Sequence, residues 1–553
     1  MAPETYPLAI SAQVRPYTSR VYRTFRGPVV ALLALVLALS GPVGAETAQA
    51  SRIPPPQDRS KGEFTRAQAH DLLVKAKRQL RPDTRRVRAR KTVGHAADTD
   101  ITMTLRDLYL ARSSLTGSER RDADQMLSRA RVFTDGQTDP ITVTTPSTQC
   151  SANFCVHYRP APMTQSTTPA QVQTTLNALE QVRAYETQTL GYRAPVLDTP
   201  AVPSIDNPDS RFDVFLGDIA NEGLYGYCAP DGAQPDTNDG RAAAFCVLDN
   251  DYAQSQYGTA PINSLRVTAA HEFFHAIQFA YDVYEDTWFM EGTATWVEDE
   301  VYDSINDNYQ YLAFSPIRYP RTSADYTPNL HRYGAFLFFK YAAERFRTRH
   351  IVRQFWEYAD APRNRYSLQA IRAVVAARKT SWPALFATFG SWNTLPGGSY
   401  SERASYPRPV LTLNKTLSRK ARSTNWRSVN LPHLSSSSIR VAPHKRLKPR
   451  SRLLIEINAP DASHGSTALV QRRYRSGAVS HSMIPLNAYG NARQRIPFNR
   501  RILASVIVVV SNTSTAMRDC GRIGDSTGGQ VFSCYGRGVY DSSQTFQVRA
   551  RLR

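Results

Sequence analysis

The 553-residue chain has few cysteines, few acidic residues relative to its basic ones, and no long apolar run after residue 39. No two of its six cysteines have the two-residue spacing of a zinc knuckle, so a cysteine-only zinc site is disfavoured. The chain also lacks an internal repeat, a phosphate-binding glycine loop and a serine-nucleophile elbow. These absences exclude repeat architectures and disfavour nucleotide-dependent and serine-hydrolase chemistry.

The shortage of acidic residues leaves the chain strongly basic. Lysine and arginine total 68 against 47 aspartates and glutamates, a formal net charge of +21. Such a charge favours contact with anionic cell-envelope polymers, acidic substrates or a membrane surface. Without a zinc finger, a helix-turn-helix signature or an aromatic RNA-binding motif, no nucleic-acid partner is expected. General surface charge is the alternative explanation.

Residues 1–45 have the pattern of a secretory signal peptide. Four arginines precede an apolar run from Val29 to Leu39, and Val43-Gly44-Ala45 offers a small-residue cleavage site. The run is too short for a comfortable membrane span, and no later stretch approaches that length. We therefore expect a secreted, extracellular protein, with the cell envelope as a candidate location and no stable transmembrane anchor.

An even number of cysteines in an exported chain predicts disulfide bonds. We expect up to three, and pairing between sequence neighbours is the simplest arrangement. The expected pairs are Cys150 with Cys155, Cys228 with Cys246, and Cys520 with Cys534.

The most informative motif is His271-Glu272-Phe273-Phe274-His275. Two histidines four positions apart on a helix project from the same face, so both can reach one tetrahedral Zn²⁺. The segment from Ser264 to Tyr281 has apolar residues at helical spacing and no proline or glycine, which predicts such a helix. Glu272 would lie beside the metal as general base. A pair of buried core histidines is the less favoured alternative.

A second helix is predicted at about Thr287 to Val301, and it would bring Glu291 alongside the first helix as a third ligand. A third histidine ligand would instead require glycine at position 278 and histidine at position 281. The chain has Gln278 and Tyr281, so the three-histidine site is disfavoured.

The segments HEFFHAIQF and WFMEGTATWVED resemble the gluzincin clan of metallopeptidases, in which HExxH and a glutamate on a following helix bind zinc. They are similar to segments of secreted bacterial zinc metallopeptidases. The resemblance covers about 30 residues. It implies His271, His275 and Glu291 as zinc ligands, and a zincin-like domain in which a helical subdomain closes the cleft.

The spacing departs from the clan's pattern, because fifteen residues separate His275 from Glu291, fewer than in the thermolysin and aminopeptidase patterns. Glu298 lies on the same helical face as Glu291 and is expected to hold a zinc histidine or, less favoured, to be the ligand itself. Asp282 and Asp299 are weaker rivals.

The implied reaction is metal-assisted hydrolysis, in which Glu272 takes a proton from the activated water and passes it to the leaving amine. A hydrogen-bond donor for the oxyanion is expected in a single predicted helix, from His331 to Phe346. Tyr333 is the preferred catalytic candidate there and His331 the alternative. Ordinary core packing is the competing interpretation, because aromatic residues recur along this helix at helical spacing.

Composition divides the chain into four segments: a signal peptide (1–45), a helical or linker segment (46–140), the zinc metallopeptidase domain (141–403) and a β-sandwich accessory domain (404–553). Residues 46–140 contain an arginine-rich run and two predicted amphipathic helices, Ile101 to Ala111 and Arg120 to Val132. Either a removed propeptide, with a basic cleavage site between Arg85 and Lys91, or a solvated linker would explain this segment.

Within 141–403, three strands and a helix are predicted before the metal motif, which favours a mixed sheet whose edge could align an extended peptide. The strands are Phe154 to Tyr158, Arg211 to Ile219 and Ala242 to Leu248, and the helix begins at Thr168-Pro169. The loop residues Asp231, Asp236 and Asp239 are weak candidates for a Ca²⁺ site, because their spacing does not match the standard calcium loop.

From about residue 405, short strands and polar turns predict the all-β sandwich. Its last strand alternates apolar residues from Phe546 to Leu552 with Gln547, Arg549 and Arg551, which predicts one buried and one basic face. The whole chain is therefore expected to be α+β.

The predicted function is that of a secreted zinc metallopeptidase acting on proteins or peptides. One alternative is an extracellular envelope-binding protein whose zinc helices are inactive and structural. The other is a zinc hydrolase of a non-peptide amide or ester, which would use every residue named above.

Overall fold

The computed structural model describes residues 64–80, 101–128, 131–132, 141–142, 147–160, 166–196, 211–232, 240–363, 365–402, 405–515 and 543–553. The predicted signal peptide, the Cys520–Cys534 pair, Asp236, Asp239 and the basic run at 85–91 lie outside these residues. Within the described ranges, no helix combines the length and the apolar character that a membrane crossing requires.

The described residues form helices of ten residues or more along most of the chain before residue 393. They are α1 (Arg66–Leu80), α2 (Ile101–Ala111), α3 (Gly117–Met126), α4 (Pro169–Arg183), α5 (Pro261–Tyr281), α6 (Thr287–Val301), α7 (Phe336–Phe346), α8 (His350–Ala359), α9 (Ser367–Ala377) and α10 (Trp382–Trp392). Shorter helical turns include Ala184–Thr189, Gln254–Tyr257, Asp307–Phe314, His331–Gly334 and Pro396–Ser399.

The first sheet has five strands: β1 (Ser147–Cys150), β2 (Phe154–Tyr158), β3 (Phe212–Gly217), β4 (Gly226–Asp231) and β5 (Ala243–Asp249). Their order is β1-β2-β3-β5-β4, with β2-β3 and β3-β5 parallel and the outer pairs antiparallel. Strand β4 therefore lies at one edge, and α5 packs on β4 and β5. The mixed sheet and its helices confirm the α+β class.

Two cross-strand disulfides reinforce this sheet. Cys150 is joined to Cys155 across β1 and β2, and Cys228 to Cys246 across β4 and β5. Both predicted pairs that fall within the described residues are thus confirmed.

Helices α5 and α6 form as the sequence predicts. Pro261 occupies the first turn of α5, where its missing N–H is not needed, so the helix begins three residues before the predicted start. It ends at Tyr281, because the backbone of the next residue, Asp282, is extended. Helix α6 follows after only a short turn. Such a short connection reverses the chain and packs the two helices side by side.

Two predictions about helices are wrong. The segment from His331 to Phe346 forms a short helix up to Gly334 and then α7, because Gly334 passes so close to the Phe314 carbonyl that a Cβ there would lie 2.7 Å from its oxygen. Helix α3 ends at Met126 rather than at Val132, and Arg131–Val132 pairs with Ile141–Thr142 instead.

Helix α2 has its predicted bounds but not its predicted amphipathic character, because all of its residues are buried, Arg106 included. A helix that is buried on every side lies inside a protein rather than on its surface. The described residues between 64 and 128 therefore do not form a solvated linker.

The carboxy-terminal strands are β6 (Leu413–Leu417), β7 (Arg427–Leu431), β8 (Ser435–Pro443), β9 (Arg452–Asn458), β10 (Ser466–Tyr474), β11 (Val479–Met483), β12 (Asn491–Pro497), β13 (Leu503–Asn512) and β14 (Gln544–Leu552). They form two sheets, ordered β11-β10-β13-β8-β6 and β12-β9-β14-β7. Apolar side chains from both sheets share one hydrophobic core, separate from the core around α5.

The last strand, β14, alternates as predicted. Its residues from Phe546 to Leu552 at every second position are buried. On the other face, Arg549 and Arg551 both bind the carboxylate of Glu456, and the Arg549 guanidinium lies 4.5 Å from the centre of the Trp426 ring. Part of the basic charge on this face is therefore neutralised within the sheet.

A buried ion pair joins the loop before the short helix His331–Gly334 to the start of the carboxy-terminal sheets. The Asp325 carboxylate lies 2.9 Å from Nε2 of His433, and the Ala324 amide donates to the Leu434 carbonyl oxygen. Burial alone would lower the pKa of His433, but the charge of Asp325 raises it above its usual value.

This ion pair predicts a specific pH dependence of stability. A histidine whose pKa is raised by folding stabilises the fold fully below its unfolded pKa of about 6.5, and this stabilisation is lost as the pH rises through its folded pKa. Between about pH 6 and pH 9, we expect the free energy of unfolding to fall more steeply for the wild type than for Asp325→Asn. Urea denaturation at a series of pH values measures this, and equal slopes for the two proteins would contradict it.

Candidate metal centre

The two motif histidines and Glu291 meet where α5 packs against α6. Nε2 of His271 lies 3.2 Å from one carboxylate oxygen of Glu291, and Nε2 of His275 lies 3.5 Å from the other. The imidazole rings are 4.7 Å apart and inclined at 78°. One ligand atom from each of the three side chains lies within 4.8 Å of the others, so together they could hold a metal ion.

The separations fit a tetrahedral metal site. With metal–ligand bonds of about 2.0–2.1 Å, tetrahedral geometry places neighbouring ligand atoms about 3.3 Å apart. The observed 3.2 and 3.5 Å, each measured to a different oxygen of Glu291, are close to that value. Two imidazole nitrogens and one carboxylate oxygen form a donor set typical of catalytic zinc, which leaves the fourth position to water or substrate.

The second nitrogen of each imidazole is held by a polar side chain. Nδ1 of His271 lies 2.6 Å from Glu298, and Nδ1 of His275 lies 2.8 Å from the amide oxygen of Gln278. When each Nδ1 carries the proton and donates it to these acceptors, each Nε2 presents its lone pair toward Glu291. The structure thus places Glu298 behind His271, the position of an orienting partner.

Gln278 is a functional residue that sequence reasoning missed. In the sequence, Gln278 shows only that no glycine is present for a three-histidine site. In the structure its amide nitrogen donates to the Met290 carbonyl oxygen at 2.8 Å and to the Thr293 hydroxyl at 3.0 Å, so one buried amide orients His275 and ties α5 to α6. Its spacing of three residues from His275 on a predicted helix was the signal available in the sequence.

The candidate metal ligands lie in a buried region rich in carboxylates. Burial outweighs the opposing hydrogen bond with His271 and raises the pKa of Glu298 to about 7. Burial lowers the pKa of His271, but its hydrogen bonds with Glu291 and Glu298 raise it well above the usual value. Several buried acidic groups around two imidazoles favour a positive charge at this point.

The rival ligands named from the sequence have other partners. Asp299 accepts a hydrogen bond from Nζ of Lys340 at 2.7 Å, and Asp282 accepts one from the Tyr284 amide at 3.0 Å. Asp231, the described member of the weak calcium candidate, accepts one from the adjacent Gly232 amide. None of the three belongs to the cluster with the histidines.

Glu272 lies on the side of α5 that faces the sheet edge. One of its carboxylate oxygens accepts a hydrogen bond from the Thr102 hydroxyl at 3.2 Å. Its side-chain stem packs on Gly226 of β4, where an added Cβ would lie 3.0 Å from Cγ of Glu272 and 2.7 Å from the Thr268 methyl group. Gly226 is therefore required for the close approach of β4 to Glu272.

The two candidates for the oxyanion donor are placed differently. The Tyr333 ring lies 6.0 Å from the His271 ring and stacks on Tyr311. His331 instead packs among aromatic rings, 4.8 Å from Tyr319 and 5.5 Å from Tyr326. Of the two, the structure brings Tyr333 beside a proposed metal ligand.

No family model and no curated protein matches the chain. Among solved structures, it has a slight likeness to a family GH115 4-O-methyl-alpha-glucuronidase with specificity for decorated arabinogalactans. That match has 10% sequence identity and a TM-score of 0.13, and it covers 52% of this chain and 38% of the glucuronidase. A likeness of this size indicates neither a shared fold nor a shared activity.

The contacts of Gln278 predict a large loss of stability on its replacement. Gln278→Leu would leave the Met290 carbonyl and Nδ1 of His275 without this buried partner, so we expect the free energy of unfolding to fall by about 2–4 kcal/mol. Gln254→Leu, at an exposed position, is the matched control and should change it by less than about 1 kcal/mol. Chemical denaturation measures both, and equal effects would contradict the assigned role.

Proposed function

We propose that this protein is a secreted zinc-dependent metallopeptidase of gluzincin type with a zincin-like catalytic domain. The observation that carries this proposal is the convergence of His271, His275 and Glu291, with Glu272 one residue away on the same helix. The mixed sheet with α5 packed behind its edge strand supports the zincin-like arrangement.

The proposed residue roles follow from these positions. Zn²⁺ held by the three ligands would supply Lewis-acid activation of water and of the scissile carbonyl. Glu272 takes the proton of the attacking water and delivers it to the amine as the C–N bond breaks, so the reaction consumes one water and releases a carboxylate and an amine. Tyr333 donates a hydrogen bond to the oxyanion. Glu298 and Gln278 keep the histidines oriented.

Peptides are the favoured substrates because the base lies beside an edge strand of the sheet. Among the described strands, β4 pairs with β5 alone, and its Gly226 packs directly on Glu272. An extended peptide can add to such an edge through main-chain hydrogen bonds, which places its scissile bond next to the catalytic groups. A small ester or amide would make little use of this edge.

Secretion is supported by the cysteines as well as by the amino-terminal sequence. The pairs Cys150–Cys155 and Cys228–Cys246 are both joined as disulfides, and such bonds persist in oxidising compartments. We therefore propose that the protein acts outside the cytoplasm, where its basic surface could also meet anionic envelope polymers.

The first test of the proposed function is Glu272→Gln. An amide keeps the shape of the side chain but cannot take a proton, so zinc should stay bound at one ion per chain while kcat/KM on a quenched peptide library falls by roughly 10²–10⁴-fold. Glu291→Gln is the matched control, since the same chemical change at a ligand should weaken zinc binding itself. Unchanged hydrolysis in Glu272→Gln would exclude the assigned mechanism.

The close approach of β4 to Glu272 predicts the effect of a single methyl group. Gly226→Ala should push Glu272 out of position and lower kcat by about ten-fold or more, because misplacement by about 1 Å is enough to slow catalysis strongly. Gly398→Ala is the control, since its added Cβ would meet only the flexible Leu395 side chain. Peptide hydrolysis rates at equal zinc content decide this, and equal rates for the two variants would contradict it.

A further inference from the structure

Helix α2 lies against both the edge strand β4 and the proposed catalytic base Glu272. Helix α2 packs on the edge strand β4, and α1 packs on α2. All of its residues are buried. A substrate peptide would need the same edge of the sheet, so α2 occupies the place expected for a substrate.

One residue of α2 contacts the catalytic machinery directly. The Thr102 hydroxyl donates to the carboxylate of Glu272 at 3.2 Å and accepts a hydrogen bond from the Cys228 amide of β4 at 3.1 Å. A hydroxyl can donate and accept at once, so it links the general base to a main-chain amide at the edge of the sheet. A peptide bound along β4 would need the Cys228 amide as a hydrogen-bond donor, and the attacking water would need the Glu272 carboxylate.

Arg106 anchors α2 at the turn between α5 and α6. Its guanidinium donates to the carbonyl oxygens of Val283 and Glu285 at 3.1 and 2.7 Å, and to the Thr287 hydroxyl at 3.2 Å. It also donates to Asp107 at 2.6 Å, which pairs its charge. A fully buried guanidinium is tolerated only with such partners, so these bonds hold α2 in one position.

A further anchor lies beyond the end of α2. Arg112 donates to the Gly232 carbonyl oxygen at 2.7 Å, just past the last residue of β4. The contacts therefore run along the strand from Cys228 to Gly232. Helices α1 and α3 are joined to each other by ion pairs of their own, such as Arg66 with Glu119.

The proposed metal ligands are closed off from solvent in this arrangement. The side chain of His271 is 12% exposed, and those of His275 and Glu291 are 0% and 1% exposed. Glu272 is also buried. A peptide cannot reach ligands with so little exposed surface unless a neighbouring element moves, and α2 is an element that contacts both Glu272 and the edge strand β4.

We propose that residues 64–128 form an autoinhibitory segment, in which α2 occupies the substrate groove, Thr102 binds the general base and Arg106 locks the helix in place. This inference rests on the proposed peptidase function. The segment must leave the groove before a peptide can bind along β4. Scission of the chain before α2, at the basic run 85–91, does not release it, because α2 stays attached to the catalytic part through its carboxy-terminal end.

The test uses the full chain loaded with zinc, and it places a recognition sequence for a specific protease at residues 135–138, after α3. The matched control has the same sequence at residues 88–91, between α1 and α2. Binding of a fluorescent peptidyl hydroxamate, a zinc-binding peptide analogue, reports access to the groove without turnover. Each protein is measured before and after cutting, with and without Arg106→Ala. Arg66→Ala, on the surface of the segment, is the control substitution.

Cutting at 135–138 in the Arg106→Ala chain should tighten hydroxamate binding at least about ten-fold, because the fraction of open molecules sets the apparent affinity. Cutting at 88–91, or the substitution Arg66→Ala, should leave the hydroxamate affinity equal to that of the uncut chain. The cut chain without Arg106→Ala is measured in parallel, so that a folding defect of the variant does not decide the outcome. Equal affinity in all proteins, or loss of the cooperative unfolding transition on cutting at 135–138, would overturn autoinhibition.

Peptide hydrolysis by the same samples separates this inference from the proposed function. If the hydroxamate binds more tightly after the cut but no peptide is hydrolysed, autoinhibition stands and the peptidase assignment fails. If cut and uncut chains hydrolyse peptides equally well, the peptidase assignment stands and autoinhibition is wrong.

Discussion

The packing of α5 against α6 is the constraint on which the rest of the site depends. It sets Nε2 of both histidines opposite the two oxygens of Glu291, and Gln278 bridges the same two helices. Helix α6 also packs closely on α7, because a Cβ at Gly292 of α6 would lie only 2.8 Å from the Phe339 ring of α7. The arrangement of the three candidate ligands is thus determined by helix packing in the hydrophobic core rather than by a flexible loop.

Local patterns in the sequence predicted much of this arrangement. The histidine spacing, the absence of helix breakers between Ser264 and Tyr281, and the polar turn after it were enough to predict both helices and the meeting of His271 with Glu291. Glu298 was expected to hold a histidine because it follows Glu291 at helical spacing, and it lies 2.6 Å from Nδ1 of His271. These inferences needed only contacts within and between adjacent helices.

The sequence could not predict contacts between distant segments. The burial of Arg106 depends on the carbonyl groups of Val283 and Glu285, about 180 positions later in the chain. The contact of Thr102 with Glu272 likewise joins two segments that are far apart in the sequence. The sequence of residues 46–140 therefore fits two interpretations, propeptide and linker. The same limitation hid the need for Gly226, since its close approach to Glu272 arises from sheet and helix packing.

In the proposed account, a general base that is held by a helix of the same chain cannot act until that helix moves. The most direct test of the central claim is zinc titration of the chain opened at residues 135–138, with the cleavage products of an unbiased peptide library measured by mass spectrometry. The account predicts product formation that rises with bound zinc and saturates at one ion per chain. Stoichiometric zinc binding and an open groove without any cleaved peptide would contradict it.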